Sequence, residues 1–123
     1  MYTNILTKEV VHSMSENISF GEYLKVLIKD AGMTQYDFYT SLGIKKPYFY
    51  DILSGRTNPP PSKLQFKAME ILNADKETQN HFFDLAAKER GDIPADIANW
   101  VIDNPEAIES IRNEMNHFLT EEQ

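Results

Sequence analysis

Apolar residues recur every three or four positions along most of this chain and nowhere alternate with period two, so the pattern predicts helices throughout. Phe20, Leu24, Leu27, Ile28 and Ala31 form a first stripe, ended by Gly32. Ser19-Phe20-Gly21-Glu22 places a hydroxyl at the N-cap and a carboxylate three residues on, with Ile18 and Tyr23 positioned to staple that first turn. Gln35 to Ser41 is a second run, capped by Thr34 and burying Phe38. Leu42-Gly43-Ile44 makes a corner, where Gly43 supplies the positive φ that other residues resist. A third helix starts near Pro47, whose missing N–H costs nothing in a first turn, and runs to Ser54 before stopping at Gly55.

Thr57-Asn58-Pro59-Pro60-Pro61 cannot be helical and predicts a stiff extended connection. Ser62 with Gln65 reads as another capping box, opening a helix in which Leu64, Ala68, Ile71 and Leu72 share a face. Asn73-Ala74-Asp75 closes that unit, and Asp75 caps a fifth helix to Arg90, with Phe82, Leu85, Ala86 and Glu89 on its partly apolar side and Gly91 at its end. Ile93-Pro94 begins a further helix through Ile102, with Ile97, Ala98, Trp100 and Val101 as apolar members. Asn104-Pro105 then restarts the chain in a last helix, in which Ile108, Ile111, Met115, Phe118 and Leu119 are spaced for one stripe. The expected class is all-α. Ile5, Leu6, Val10 and Val11 suggest that residues 1–18 form an N-terminal arm or short helix.

At 123 residues and 41% hydrophobic content, the chain suits one small domain with an appendage. The absence of cysteine excludes disulfides and thiolate zinc sites and fits a reducing interior. No apolar run approaches the roughly 20 residues needed to span a bilayer, and the start of the chain lacks a signal-peptide pattern; a cytoplasmic protein with no membrane association is expected. The net charge of −7 argues at first against nucleic acid, but it is unevenly spread. Residues 1–74 hold eight Lys and Arg against seven Asp and Glu, a balance of +1, whereas residues 75–123 hold four against twelve, a balance of −8. Within 42–67, Lys45, Lys46, Arg56, Lys63 and Lys67 face Asp51 alone, a local +4. That is the layout of a basic face with an acidic appendage.

Thr34 to Arg56 therefore reads as a short helix, a glycine corner and a second short helix: a helix-turn-helix, whose second helix can enter a DNA major groove. Residues 19 to about 73 resemble the DNA-binding domain of the Xre/lambda-repressor-like family of bacterial and phage regulators. The resemblance rests on Thr34-Gln35 opening the second helix, Phe38, the Leu42-Gly43-Ile44 corner, buried Phe49 and Ile52, and Ser54-Gly55-Arg56 followed by Asn58-Pro59. It implies a compact five-helix lambda-repressor-like domain over 19–74, with an acidic helical extension over 75–123. It departs at Tyr39, where the family usually has alanine because the two helices approach closely. A tyrosine there must tilt the helices apart or lie along the seam with its hydroxyl outside.

The resemblance places Lys46, Pro47, Tyr48 and Asp51 nearest the base edges. Lysine can donate to guanine O6 and N7, and tyrosine can touch a thymine methyl or a phosphate. Lys45 and Tyr50 share the outward side of the third helix, Gln35 stands at a helix start that attracts phosphate, and Arg56, Asn58 and Lys63 are placed for backbone contacts. Asp51 is the exception; pairing with Arg56 or Lys46 is the expected role for it.

His12, His81 and His117 are far apart, with no carboxylate at metal-ligand spacing, so no metal, cofactor or catalytic site is expected. The reading is a sequence-specific DNA-binding transcriptional regulator, a repressor, with its recognition helix at about 46–54. Residues 75–119 would dimerise, dock a protein partner, or cover the first domain. The alternative is a protein-interaction module on the same fold, an antitoxin or phage-type inhibitor, motivated by the aromatic run Tyr39, Tyr48, Phe49 and Tyr50 and by the overall acidity.

Overall fold

A computed structural model describes residues 18–122, so apart from Ile18 the expected N-terminal arm lies outside the described residues. Among them the secondary structure is entirely helical: α1 (Phe20–Asp30), α2 (Gln35–Leu42), α3 (Lys46–Ser54), α4 (Ser62–Ile71), α5 (Lys76–Arg90), α6 (Ala95–Asp103) and α7 (Ala107–Glu122).

The caps explain most of these boundaries. Ser19, Thr34 and Asp75 each sit in extended backbone, and their side-chain oxygens accept from the amides of Glu22 (3.1 Å), Asp37 (3.0 Å) and Thr78 (2.8 Å). Each such cap is worth about 1 kcal/mol. The expected capping box at Ser62 does not form. Pro61 occupies the N-cap without a side-chain bond, and Gln65, instead of reaching back to Ser62, is 3% exposed and donates its Nε2 to the Pro60 carbonyl at 2.8 Å. The extended proline-rich connection makes no internal hydrogen bonds, so its Pro60 carbonyl is free to partner the Nε2 of this buried amide, whose Oε1 has no partner. Pro47 falls at the second rather than the first helical position, and Pro105 lies in a turn ahead of α7.

The core is aromatic. Phe20, Tyr23, Leu24 and Ile28 of α1 pack with Phe38, Tyr39 and Leu42 of α2 and with Phe49, Ile52 and Leu53 of α3; α4 adds Ala68 and Met69. Burying each large apolar side chain contributes about 1.5–3 kcal/mol.

The expected unit boundary after residue 74 is not a boundary in packing. α5 brings Phe82, Phe83, Leu85 and Ala86 into the same core, with Phe82 5.0 Å from the Phe20 ring and Phe83 4.9 Å from that of Phe66. Its acidic residues lie on the outer side, so the charge shift in the sequence marks a solvated face and not the end of a domain. Two polar ties lock the far end of α5: Glu89 accepts from the Phe20 amide at 2.6 Å, and Arg90 donates to the Pro59 carbonyl at 2.7 Å.

The core ends at Ala95, the one buried residue of α6, and α7 has none. The stripes on these two helices therefore do not cover the first domain, one of the options the sequence left open. No helix among the described residues is long and apolar enough to cross a membrane.

Candidate nucleic-acid interface

Helix α3 is held by its inner side. Phe49, Ile52 and Leu53 are buried, as the spacing predicts, and Phe49 lies within 5.9 Å of the Phe38 ring and 5.2 Å of Tyr39. Tyr39 is buried against α3, its ring tilted against that of Phe49 at 5.2 Å, with Tyr36 edge-on at 5.5 Å. At the other end, α1 crosses the last turn of α3 so closely that a Cβ on Gly21 would overlap the Leu53 carbonyl and stand 2.7 and 2.8 Å from its C and Cα. The aromatic seam and this backbone contact fix the helix from both sides.

The turn before α3 follows from Gly43. Its φ of 85° is left-handed, and the amides of Gly43 and Ile44 both return to the Tyr39 carbonyl at 3.1 Å, closing α2. Lys45 is the N-cap of α3, contributes no side-chain capping bond, and is exposed, as is Lys46 at the first helical position. The uncapped positive end of a helix and two lysines thus coincide at one exposed point, an arrangement that attracts anions.

Further along α3, Tyr50 is 43% exposed, with the Lys46 ammonium 5.9 Å from its ring centroid, while Tyr48 is half-buried and packs against the core. Asp51 pairs with Arg56 at 3.6 Å, and its carbonyl accepts the amides of Arg56 and Thr57. The one carboxylate in this stretch is thereby partly neutralised, and the Arg56 side chain remains 79% exposed. Asn58 and Lys63 are exposed along and after the extended connection, and Gln35 is half-buried at the start of α2.

Two residues at this surface escape a reading of the sequence for contacts. The Lys67 ammonium, from the middle of α4, lies over the glycine corner, 3.7 Å from where a Cβ on Gly43 would stand. Lys67 enters the charge tally of the sequence, but nothing local shows that its side chain reaches a turn 24 positions earlier. Tyr36 is the other, 64% exposed on α2. No group of three or more His, Asp or Glu among the described residues is placed to hold a metal ion. His117 pairs instead with Glu121 on its own helix at 3.1 Å, and His12 lies outside the described residues. Comparisons with protein-family models, with curated proteins and with solved structures return no match for this chain.

Proposed function

We propose that the protein is a sequence-specific DNA-binding transcriptional regulator, acting as a repressor, with α3 in the major groove. One observation carries the reading. The exposed cations Lys45, Lys46, Arg56, Lys63 and Lys67 gather on α3, its flanking turns and α4 as far as Lys67, and the only carboxylate within residues 42–67, Asp51, is paired. The acidic residues that make the whole chain −7 lie mostly beyond residue 74. In this reading Lys46 and Tyr50 approach base edges while Gln35, Arg56, Asn58 and Lys63 contact the backbone, and two copies bind half-sites about 34 Å apart.

The rival reading, a protein-interaction module, draws on four aromatics and on the overall acidity. Two of them, Tyr39 and Phe49, are core residues, which weakens its motivation.

Titration of fluorescent duplexes covering the DNA upstream of the gene tests the proposal. Binding that weakens with salt at a log–log slope of about −0.9 per phosphate contacted is expected. Lys46→Ala should cost about 1–3 kcal/mol on the preferred sequence. Absence of binding to any such duplex at low salt would sink the reading.

A further inference from the structure

The end of α5 and the start of α6 meet the start of α4 around a cleft of about 530 Å³. That lies within the ~300–1,000 Å³ typical of small-molecule sites. The cleft exists because its walls are short: Ala87 of α5, Gly91 at its stop, and Ala95 and Ala98 of α6 put little side chain into the space. With Ile93, the alanines make one side of it apolar.

The other side is polar and not saturated. Gln65 lines the cleft, is 3% exposed, and spends its Nε2 on the Pro60 carbonyl, leaving its Oε1 an acceptor without a donor. A buried acceptor in that state weakens the fold until a donor reaches it. Arg90 also lines the cleft. It commits its Nε to Asp92 at 2.8 Å and its Nη1 to the Pro59 carbonyl at 2.7 Å, and its Nη2 has no partner among the described residues. On the same cleft α4 begins at Pro61, whose ring offers no capping acceptor, and its first turn carries no carboxylate. The amides of Ser62 and Lys63 have no partner among the described residues. A helix start in that condition attracts an anion.

We propose that this cleft binds a small organic carboxylate with an amine or hydroxyl next to its carboxyl group, the class of free amino acids and 2-hydroxy acids. The carboxylate answers Arg90 Nη2 and the start of α4 through charge-assisted bonds. The neighbouring donor answers the unpaired Oε1 of Gln65, with Asp92 as the second acceptor on the cleft, and a short apolar body lies on the alanines. Asp92 also selects against dianions such as phosphate, because a second negative charge would meet its carboxylate. The site uses none of the cationic side chains on which the DNA reading rests, so each reading stands or falls alone.

Amide chemical shifts of the isotope-labelled full chain, titrated without DNA, are the test. L-Leucine and 2-hydroxy-4-methylpentanoate are the probes, and saturable shifts are expected at Ser62, Gly91, Ala95 and the Gln65 side chain. Leucinamide, which lacks the carboxylate, and 4-methylpentanoate, which lacks the donor, should each bind at least ~10-fold more weakly. Ala98→Leu should fill the cleft and abolish the shifts with the thermal midpoint unchanged, since Ala98 lies outside the core. Arg90→Gln should weaken both probes; because Arg90 also ties Pro59, Ala98→Leu decides the matter if that variant does not fold. A cleft that holds only water gives no saturable shift with either probe up to roughly 20 mM, and that result overturns the proposal. Equal binding of leucinamide or 4-methylpentanoate, or undiminished binding to Ala98→Leu, overturns it too.

Discussion

Gly21 and Tyr23 stand two residues apart on α1 and constrain the molecule in opposite ways, one by having no side chain and the other by burying more polarity than it can satisfy. At Gly21 any Cβ meets backbone atoms of Leu53, which cannot rotate aside as a side chain tip would. Gly21→Ala should therefore destabilise the fold by roughly 3 kcal/mol, at the upper end of ordinary overpacking, read as a lowered midpoint in urea. The sequence offers no warning of this, because Gly21 occupies an unremarkable place inside a capping box; only the crossing of α1 over α3 gives it a role. Tyr23 is fully buried and its hydroxyl has no hydrogen-bond partner. Burial, with a smaller contribution from the Glu77 carboxylate, pushes its pKa from 10.0 up to about 12. The folded state thus holds its proton in a range where the unfolded chain releases it. The stability this represents is complete below pH 10 and declines as pH rises from there toward 12. Tyr23→Phe should remove that component of the alkaline decline, seen by comparing denaturation of the two proteins at pH 9 and pH 11. At neutral pH the same change should leave stability equal or slightly higher, since it deletes a buried orphan hydroxyl.

At the scale of elements, the helix starts at Ser19, Thr34 and Asp75 and the left-handed stops at Gly43, Gly55 and Gly91 follow local rules, and they lie where the pattern of hydroxyls, carboxylates and glycines puts them. Ser62 shows where local rules fail. The same two-residue signature is present, but Gln65 is drawn into the core by the Pro60 carbonyl, a partner that belongs to tertiary packing. Gly43 joins both levels, because it ends α2 and carries Lys67 above it. Gly43→Ala should cost about 1–2 kcal/mol through its positive φ without a clash, since 3.7 Å to a flexible ammonium is ordinary contact. The expected result is a lower thermal midpoint with an unchanged circular dichroism spectrum at 20 °C.

For the whole molecule the decisive property is how charge is separated from the core. The core runs through α5 to Ala95, while five cations stand on α3, its flanking turns and α4, and most of the acidic residues of α5 to α7 are exposed. Long-range attraction of a polyanion is then local to one side, and salt screens it beyond about 10 Å at 0.1 M. Lys67→Gln tests whether the tertiary neighbour belongs to that side. On duplex DNA it should weaken binding about equally for all sequences and flatten the salt slope by about 0.9, the signature of a phosphate contact. An unchanged slope would place Lys67 outside the interface.

The sequence alone determined the all-helical class, nearly every helix boundary and the glycine corner before α3, because caps, stops and apolar periodicity act over a few residues. It also determined the local +4 of residues 42–67 against the total of −7. Tertiary structure decided what depends on partners distant in the chain: that α5 completes the core despite its acidity, that Tyr39 is buried against Phe49, that Gly21 admits α3, and that Lys67 stands over the turn. It also left the stripe of α7 uncovered, for a helix can form by local rules and still need another surface to bury its apolar face.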